Sequence, residues 1–203
     1  MILAGGLATR MGGVDKGLLP LGSGCVLDSV IERLRGQCDG LAINANGDAV
    51  RFARFGLPVL PDPVPDHPGP LAGILAALDW AAEKKTETVI TVAADSPFFP
   101  LDLVEGLQRA AREVGAPIAL AASLDETGAA RRHPTFGLWS ISLRDDLRDA
   151  LGQGMRKVAL WADRHDAATA TFAREGHDPF FNINNPADLE RAREIGGAST
   201  GVR

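Results

Sequence analysis

The sequence predicts an α/β fold of three layers, a Rossmann-like, mostly parallel sheet with helices on both faces. Short apolar runs alternate with segments whose apolar residues recur at helical spacing, which is typical of βαβ units. The run TVITVAA, residues 88–94, is almost entirely apolar, as in strands that are buried on both faces. A glycine-rich loop, LAGGLATRMGG, directly follows the opening strand, at the position where such sheets commonly bind phosphate.

The first half of the chain is expected to hold three short strands before the buried one, at residues 1–3, 40–44 and 58–60. Apolar side chains from Val26 to Leu34 fall on one helical face, and Gly36 provides a stop. A second helix is expected after Gly69 and Pro70, because proline suits the first helical turn and leucines follow at helical spacing.

The second half is expected to continue the alternation and to end in a helix. Further strands are expected at residues 118–122, 135–139 and 168–173, and helices at 103–114, 142–152 and 155–164. Asn185 and Pro186 have the residue types of an N-cap and a first helical position, opening a last helix that ends near Ile195. Residues 1–195 are therefore expected to form a single domain, and residues 196–203 a flexible tail.

Composition argues against several classes of protein. The chain has 203 residues and a formal charge of −5, whereas nucleic-acid binding usually needs a basic patch. No apolar run approaches the roughly 18 residues of a membrane span, and no secretory signal is visible. Cys25 and Cys38 form no CxxC pair, which favours a reducing, cytoplasmic setting. A monomer is the default expectation.

The glycine-rich loop is the first candidate site, because ligands of open α/β sheets bind beyond the carboxyl ends of the strands. Gly5 and Gly6 would let backbone N–H groups approach phosphate oxygens, and Arg10 and Lys16 would supply positive charge. The loop has neither the GK[ST] of a Walker A loop nor the GxGxxG of a dinucleotide site. It predicts a polyphosphate site of another kind.

The loop pattern LAGG-xxx-RMGG-x-DK-x-L, residues 3–18, resembles the molybdenum cofactor guanylyltransferase family, the MobA-type nucleotidyltransferases. Related cytidylyl and sugar-nucleotide enzymes more often have LAAG-x-G-x-R there. Later segments also match in order, up to about residue 195: INAN, LPD, PGPLAGI, HPTFGLW and FNINNP. The segment GSGCVLD departs from the usual Gly-Lys-Pro-like turn, at a place expected to be peripheral. The resemblance implies a nucleotide-diphospho-sugar transferase-like fold.

The resemblance also implies roles for residues at the strand ends. The GTP-binding set would comprise Leu3, Ala4, Gly5, Gly6, Lys16, Asn44, Asp62 and Asp95. Asp95 would hold Mg²⁺, the implied cofactor, because it ends a fully apolar strand and hard Mg²⁺ prefers carboxylates with substrate phosphates. Lys16 and Arg10 would act with Asp95 in catalysis by offsetting charge on the leaving pyrophosphate. The residues implied on the pterin side are His133, Asn182 and Asn184.

These residues have structural interpretations as well. Asn44 could form an Asx turn, and Asp62 could be an ordinary turn residue among prolines. His133 could belong to a solvated polar loop with the arginines before it. Asn182 and Asn184 alternate along the chain, so they would share one face of an extended segment.

The implied reaction is transfer of GMP from GTP to the terminal phosphate of Mo-molybdopterin, giving molybdopterin guanine dinucleotide and pyrophosphate. That nucleophile has a second pKa near 6, so it needs no general base, and no Ser-His-Asp or Cys-His set is visible. Alternatives are CTP transfer to molybdopterin, NTP transfer to a sugar phosphate, or a non-catalytic nucleotide-binding module. The family further implies molybdopterin-loading proteins and molybdoenzymes as partners.

Overall fold

The computed structural model describes residues 1–5, 15–65, 69–125, 127–174 and 176–199. Within these ranges, the strands of the main sheet are β1 (Ile2–Leu3), β4 (Ile43–Asn44), β5 (Val59–Leu60), β6 (Thr88–Ala93), β7 (Ile118–Leu124), β8 (Ala130–Ser140) and β9 (Ala168–Phe172). Their order is β5-β4-β1-β6-β8-β7-β9. Only β8 pairs antiparallel with its described neighbours, so the mostly parallel sheet is confirmed. A separate hairpin joins β2 (Pro20–Leu21) and β3 (Gly24–Cys25).

Helices cover both faces of this sheet. Those in the described ranges are α1 (Val26–Arg35), α2 (Pro70–Lys84), α3 (Leu103–Val114), α4 (Arg144–Gly152), α5 (Val158–Asp163) and α6 (Pro186–Ser199). Helices α1 and α3 pack with Ile2 and Val92 on one face, whereas α2, α4 and α5 pack with Val89 on the other. Because successive strand residues point to opposite faces, helices cover β6 on both of its faces. The three-layer prediction is confirmed.

None of the helices in the described part of the chain is long and apolar enough to cross a membrane.

The hairpin of β2 and β3 was not expected from the sequence, and the other differences concern the lengths of expected elements. The strand expected at 40–44 is paired only at its last two residues, where β1 and β5 flank it. The strand expected at 135–139 begins at Ala130, because Ala130 and the polar residues 131–133 pair with β7 beyond a bulge after Leu120. The last helix continues past Ile195 to Ser199, so residues 196–199 of the expected tail are helical. A glycine inside a helix lowers the stability of the helix by only about 1 kcal/mol relative to alanine. The glycine pair, residues 196–197, therefore weakens this helix without ending it.

Strand β1 lies where the chain changes direction across the sheet. Helix α1 leads from β1 towards β4 and β5 on one side, and α2 leads from β5 back past β1 to β6 on the other. The two helices cover opposite faces, which leaves a crevice at the carboxyl end of β1. Leu3 is in register with both Asn44 and Ala93, and Asn44 with Leu60. Residues that follow these strands therefore meet at one edge.

A capping box holds the start of α6 and the segment before it. The Asp188 N–H donates to Asn185 Oδ1 at 3.0 Å, and Asp188 Oδ2 accepts from the backbone N–H groups of Asn184 and Asn185. The predicted cap is confirmed. The buried Ile183 donates its N–H to the Asp95 carbonyl at 2.9 Å. These bonds hold residues 182–184 against the end of β6.

Candidate functional site

A cavity of about 450 Å³ lies at the carboxyl ends of β1, β4 and β6. Among the residues predicted to bind the nucleotide or pterin, those that line it are Leu3, Ala4, Gly5, Lys16, Asn44, Asp62, Asp95 and Asn182. Strand pairing explains why Asn44, Asp62 and Asp95 converge with the end of β1, since they lie at or just after parallel strands that end in register. The predictions for Gly6 and Arg10 lie outside the described residues.

Lys16 and Asp95 share one edge of the cavity. Lys16 begins a 3-10 turn, Lys16–Leu18, and Asp95 follows β6. The Lys16 Nζ lies 3.3 Å from Asp95 Oδ2 and donates to Asn184 Oδ1 at 2.7 Å. The side chains of Lys16 and Asp95 are 26% and 22% exposed, so they are partly shielded from water yet open to the cavity. The cation and carboxylate expected to bracket a polyphosphate lie in a common cleft.

Asn44 and Asp62 form a second polar group at the cavity. Asn44 is 2% exposed, and its Nδ2 donates to the Leu60 carbonyl at 3.2 Å and to Asp62 Oδ1 at 2.9 Å. Asn46 Nδ2 donates to Asp62 Oδ2 at 2.8 Å, and Asn46 Oδ1 accepts from the Asp62 N–H at 2.9 Å. Each carboxylate oxygen is thus held by one amide and keeps further acceptor capacity.

Gly73 of α2 allows the helix to approach Asn44 closely. A Cβ at Gly73 would lie 2.4 Å from Asn44 Oδ1 and 2.9 Å from Leu3 Cδ2. Both distances are too short for any side chain, so only glycine fits without displacing Asn44. This contact explains physically why the segment PLAGI suits the site.

The residues expected on the pterin side occupy two places. Asn182 and Asn184 are both exposed and lie on either side of buried Ile183, so they share one face as predicted. Asn182 Oδ1 accepts from Ser96 Oγ at 2.5 Å, and Asn184 contacts Lys16. His133, on β8, is not among the cavity-lining residues. Its contact with the pterin stays a prediction.

His133 is instead packed inside the fold. Its ring stacks on Phe180 with centroids 4.5 Å apart, and its Nε2 lies 2.9 Å from Ser123 Oγ. The interpretation as a solvated loop residue is wrong: the side chain is 11% exposed, because this polar segment pairs as part of β8. Burial lowers the pKa of His133 to about 4; Asp178 opposes this shift and Arg131 adds to it.

We expect His133 to make the free energy of unfolding fall between pH 6.5 and pH 4. Its folded-state pKa is about 4, below the ordinary 6.5, so the unfolded chain binds more protons in this window. The contribution is complete above pH 6.5 and declines as the pH falls towards 4, by on the order of 3 kcal/mol in total. Urea unfolding at about pH 7 and pH 4.5 measures it. His133→Gln, which cannot titrate, should lack this part of the decline; equal declines would contradict the assignment.

Asp95 is the candidate metal ligand. The described residues contain no group of three or more His, Cys, Asp or Glu side chains that could hold a metal ion by themselves. Mg²⁺ needs no such cage, since one or two carboxylates with substrate phosphates and water suffice. Asp95 lines the cavity, and the only side-chain bond that the described residues give it comes from Lys16. The donor set fits Mg²⁺ bound together with a polyphosphate.

Several residues that support this site were not singled out from the sequence. They include Asp15, Asn46, Phe52 and Ser96. Two had a usable signal: Asn46 repeats the asparagine of INAN, and Asp15 belongs to the DK pair of the loop pattern. Phe52 had none, because an aromatic residue at helical spacing is normally assigned to the core.

Known proteins resemble this chain along nearly all of its length. A Molybdenum cofactor guanylyltransferase of Mesorhizobium japonicum (strain LMG 29417 / CECT 9101 / MAFF 303099) is 50% identical over 200 residues, which cover 96% of this chain and 94% of the relative. The solved structure of molybdopterin-guanine dinucleotide biosynthesis protein A from Archaeoglobus fulgidus has a TM-score of 0.70 and 23% identity, with 97% of each chain covered.

A second solved structure has the same fold. The 2-C-methyl-D-erythritol 4-phosphate cytidylyltransferase of Thermus thermophilus has a TM-score of 0.68 and 18% identity, covering 97% of this chain and 98% of that one. Likeness at this identity establishes the nucleotide-diphospho-sugar transferase-like fold alone. The family model described as MobA-like NTP transferase domain matches residues 1–170. The chain therefore belongs to the MobA-like NTP transferase family and is a nucleotidyltransferase, as its loop pattern predicted.

Proposed function

We propose that this chain is a molybdenum cofactor guanylyltransferase, which transfers GMP from GTP to the terminal phosphate of Mo-molybdopterin. The products are molybdopterin guanine dinucleotide and pyrophosphate. The observation that carries the proposal is the placement of Lys16 Nζ 3.3 Å from Asp95 Oδ2 at the edge of one cavity. The name of the Mesorhizobium japonicum relative, 50% identical over 96% of this chain, supports the choice of substrate.

Asp62 is the group we propose to recognise guanine. The base presents N1–H and N2–H side by side, and a carboxylate can accept from both. Asn44 and Asn46 each hold one oxygen of Asp62, so the acceptor pair is oriented before the nucleotide arrives. Cytosine lacks this pair of donors and would leave the remaining acceptor capacity of the Asp62 carboxylate unused, which is how such sites discriminate.

The backbone of the first loop would bind the rest of GTP. Leu3, Ala4 and Gly5 line the cavity at the end of β1, where their main chain can approach the nucleotide closely. Gly5 and Gly6 would donate N–H groups to phosphate oxygens. Asn182 and Asn184 lie near Lys16 and Ser96, on the side where the second substrate would enter.

The chemical step replaces one phosphorus–oxygen bond by another. An oxygen of the pterin phosphate attacks the α-phosphorus of GTP, and the bond from that phosphorus to the bridging oxygen breaks, so pyrophosphate leaves with the electron pair. The attacking phosphate is already largely ionised at neutral pH, because its second pKa is near 6. The protein therefore contributes alignment and charge neutralisation rather than a general base.

Lys16 and Asp95 supply that neutralisation in different ways. The Lys16 ammonium would exchange its present partners, Asp95 and Asn184, for oxygens of the leaving pyrophosphate. We propose that Arg10 adds a second positive charge there. Asp95 would hold Mg²⁺, which would offset negative charge on the phosphates of the nucleotide. Because both side chains are partly exposed at the cavity, they can reach a ligand without rearrangement of the core.

An assay with the purified chain, Mg²⁺ and Mo-molybdopterin tests the proposal. GTP, CTP and UTP are supplied in turn, pyrophosphate is measured, and the dinucleotide is identified by mass spectrometry. We expect pyrophosphate and molybdopterin guanine dinucleotide with GTP. A product formed only with CTP would favour the cytidylyl alternative. Nucleotide binding without pyrophosphate release, with or without a sugar phosphate, would favour a non-catalytic module.

We also propose that the chain acts as a monomer in the cytoplasm. There it would receive the pterin from a molybdopterin-loading protein and pass the product to a molybdoenzyme. Size-exclusion chromatography with light scattering would test the monomer, and a dimer mass would overturn it.

Gly73→Ala is expected to weaken GTP binding because the new methyl group would displace the Asn44 side chain, 2.4 Å away. We expect the dissociation constant to rise about tenfold and stability to fall by about 1–3 kcal/mol, as measured by calorimetry and thermal unfolding. Gly106→Ala is the matched control: its Cβ would lie 2.6 Å from the Phe172 ring, on α3 and away from the cavity. Gly106→Ala should lower the stability of the protein without changing its affinity for GTP. Unchanged GTP affinity in Gly73→Ala would contradict the role of this contact.

A further inference from the structure

Arg51 joins two loops that flank the cavity. It lies in a 3-10 helix, Ala49–Phe55, that follows β4. Its Nε donates to Asp15 Oδ2 at 2.5 Å, its Nη2 donates to the Asn46 carbonyl at 2.7 Å, and its Nη1 donates to the Asp48 carbonyl. One guanidinium therefore uses three donors on acceptors from two separate segments. The planar fork of arginine fixes their relative directions, which a lysine ammonium cannot do.

Each of the two segments carries part of the nucleotide site. Asp15 directly precedes Lys16 at the N-cap position of its 3-10 turn, and the Leu18 N–H donates to the Asp15 carbonyl at 2.9 Å. Asn46 holds Asp62 by two hydrogen bonds. Arg51 thus links the phosphate-side cation, through Asp15, to the carboxylate proposed to face the base, through Asn46.

Arg51 does not line the cavity itself, although its neighbours do. Asp15 and Phe52 are lining residues, and the Arg51 guanidinium stacks over the Phe52 ring at 4.5 Å from its centroid. The side chains of Arg51 and Asp15 are both partly buried, so their ion pair is less screened by water than a fully exposed one. Any effect of Arg51 on the nucleotide must therefore act through other residues.

We propose that Arg51 is a positioning residue of the nucleotide site, which sets the distance between Lys16 and Asp62 by tying their supporting loops together. A triphosphate nucleotide must contact both ends of the cavity at once. A shift of about 1 Å between the ends can cost on the order of a hundredfold in rate. The inference rests on the proposed function for the identity of the nucleotide. It does not require the chain to be catalytically active, because it concerns nucleotide binding.

Arg54 offers a matched control on the same 3-10 helix. Its guanidinium stacks over Phe55 at 4.3 Å, and its Nη2 lies 2.6 Å from Asp28 Oδ2 and 2.9 Å from Cys25 Sγ. Like Arg51, it pairs with a carboxylate and stacks over the next aromatic ring, but its partners lie at the start of α1. Neither Asp28 nor Cys25 lines the cavity. Loss of Arg54 should affect the same helix without moving the nucleotide site.

The test is calorimetric titration of nucleotide with Mg²⁺ into the wild type, Arg51→Ala, Arg51→Lys, Asp15→Asn and Arg54→Ala, each also melted thermally. We expect Arg51→Ala to raise the dissociation constant for GTP about tenfold and, in the pyrophosphate assay, to lower kcat/KM more, on the scale of losing an orienting partner at a metal site. Arg51→Lys should recover little of this loss. Asp15→Asn keeps an acceptor for Arg51 but loses the charge, so its dissociation constant for GTP should lie between those of the wild type and Arg51→Ala. Arg54→Ala should bind GTP as the wild type does.

Equal GTP affinities of Arg51→Ala and Arg54→Ala would overturn the inference, as would full rescue by Arg51→Lys. If Arg51→Ala does not fold, the GTP affinities of Arg51→Lys and Asp15→Asn are compared with that of Arg54→Ala instead. Wild-type affinity in both variants would overturn the inference. Binding needs no turnover, so an inactive wild type would count against the proposed function alone. A wild type that prefers CTP would contradict guanine recognition, whereas weaker CTP binding by Arg51→Ala would still support positioning.

Discussion

Lys16→Ala is expected to lower turnover at least about a hundredfold, the scale of losing one key charge stabiliser. Lys16 Nζ is 3.3 Å from Asp95 and 2.7 Å from Asn184, at the cavity edge where charge would build up on pyrophosphate. The fold should be intact, because a partly exposed ion pair contributes only about 0–1 kcal/mol. Steady-state pyrophosphate release at saturating substrates gives kcat, and thermal unfolding checks the fold.

Two further lysine variants make this result specific. Lys84→Ala removes an exposed lysine at the end of α2 and should turn over like the wild type. Lys16→Arg keeps the charge and should retain more activity than Lys16→Ala, although its planar head differs in geometry. Near-normal turnover of Lys16→Ala would remove this residue from the mechanism.

Asp95→Asn is expected to lower activity and to raise the Mg²⁺ concentration for half-maximal rate by at least about tenfold. The amide has the shape of the carboxylate but not its charge, and the affinity of hard cations depends on the charge of the ligands. It also leaves Lys16 without its anionic partner at 3.3 Å. Mg²⁺ titrations at fixed GTP and pterin, with kcat and the half-saturating concentration fitted separately, measure the effect.

Asp79→Asn is the matched control for the metal. Asp79 pairs with Arg148 at 2.7 Å on the surface of α2, so its loss should not change the response to Mg²⁺. Lys16→Ala should lower kcat with a smaller shift in the Mg²⁺ requirement, which separates the two roles. An unchanged Mg²⁺ response in Asp95→Asn would argue for a different ligand.

The candidate site was predictable where a polar residue directly follows a buried strand. Asn44, Asp62 and Asp95 all come at or shortly after strand ends, and parallel strands end at a common edge. The N-cap of α6 was predictable for a similar reason, since Asn185 and Asp188 bond within one turn. Such relations join residues that are close together in the sequence, so they can be predicted from it.

Pairs that are distant along the chain were not predictable in this way. Arg51 and Asp15 are separated by 36 residues, and Asn182 and Ser96 by 86. His133 looked like a loop residue because its neighbours are polar, yet pairing with β7 and stacking on Phe180 bury it. Polarity along one stretch does not reveal which face a partner will cover.

The sequence by itself determined the order of strands and helices, the loop expected to bind polyphosphate and the family to which the chain belongs. Hydrophobic periodicity and turn residues act over a few positions, so they can be recognised without a partner. Tertiary structure alone decided that Lys16 meets Asp95, 79 residues away, and Asn184, 168 residues away. Burial of both faces of the sheet brings the strand ends together, and the packing of whole helices then sets which side chains touch.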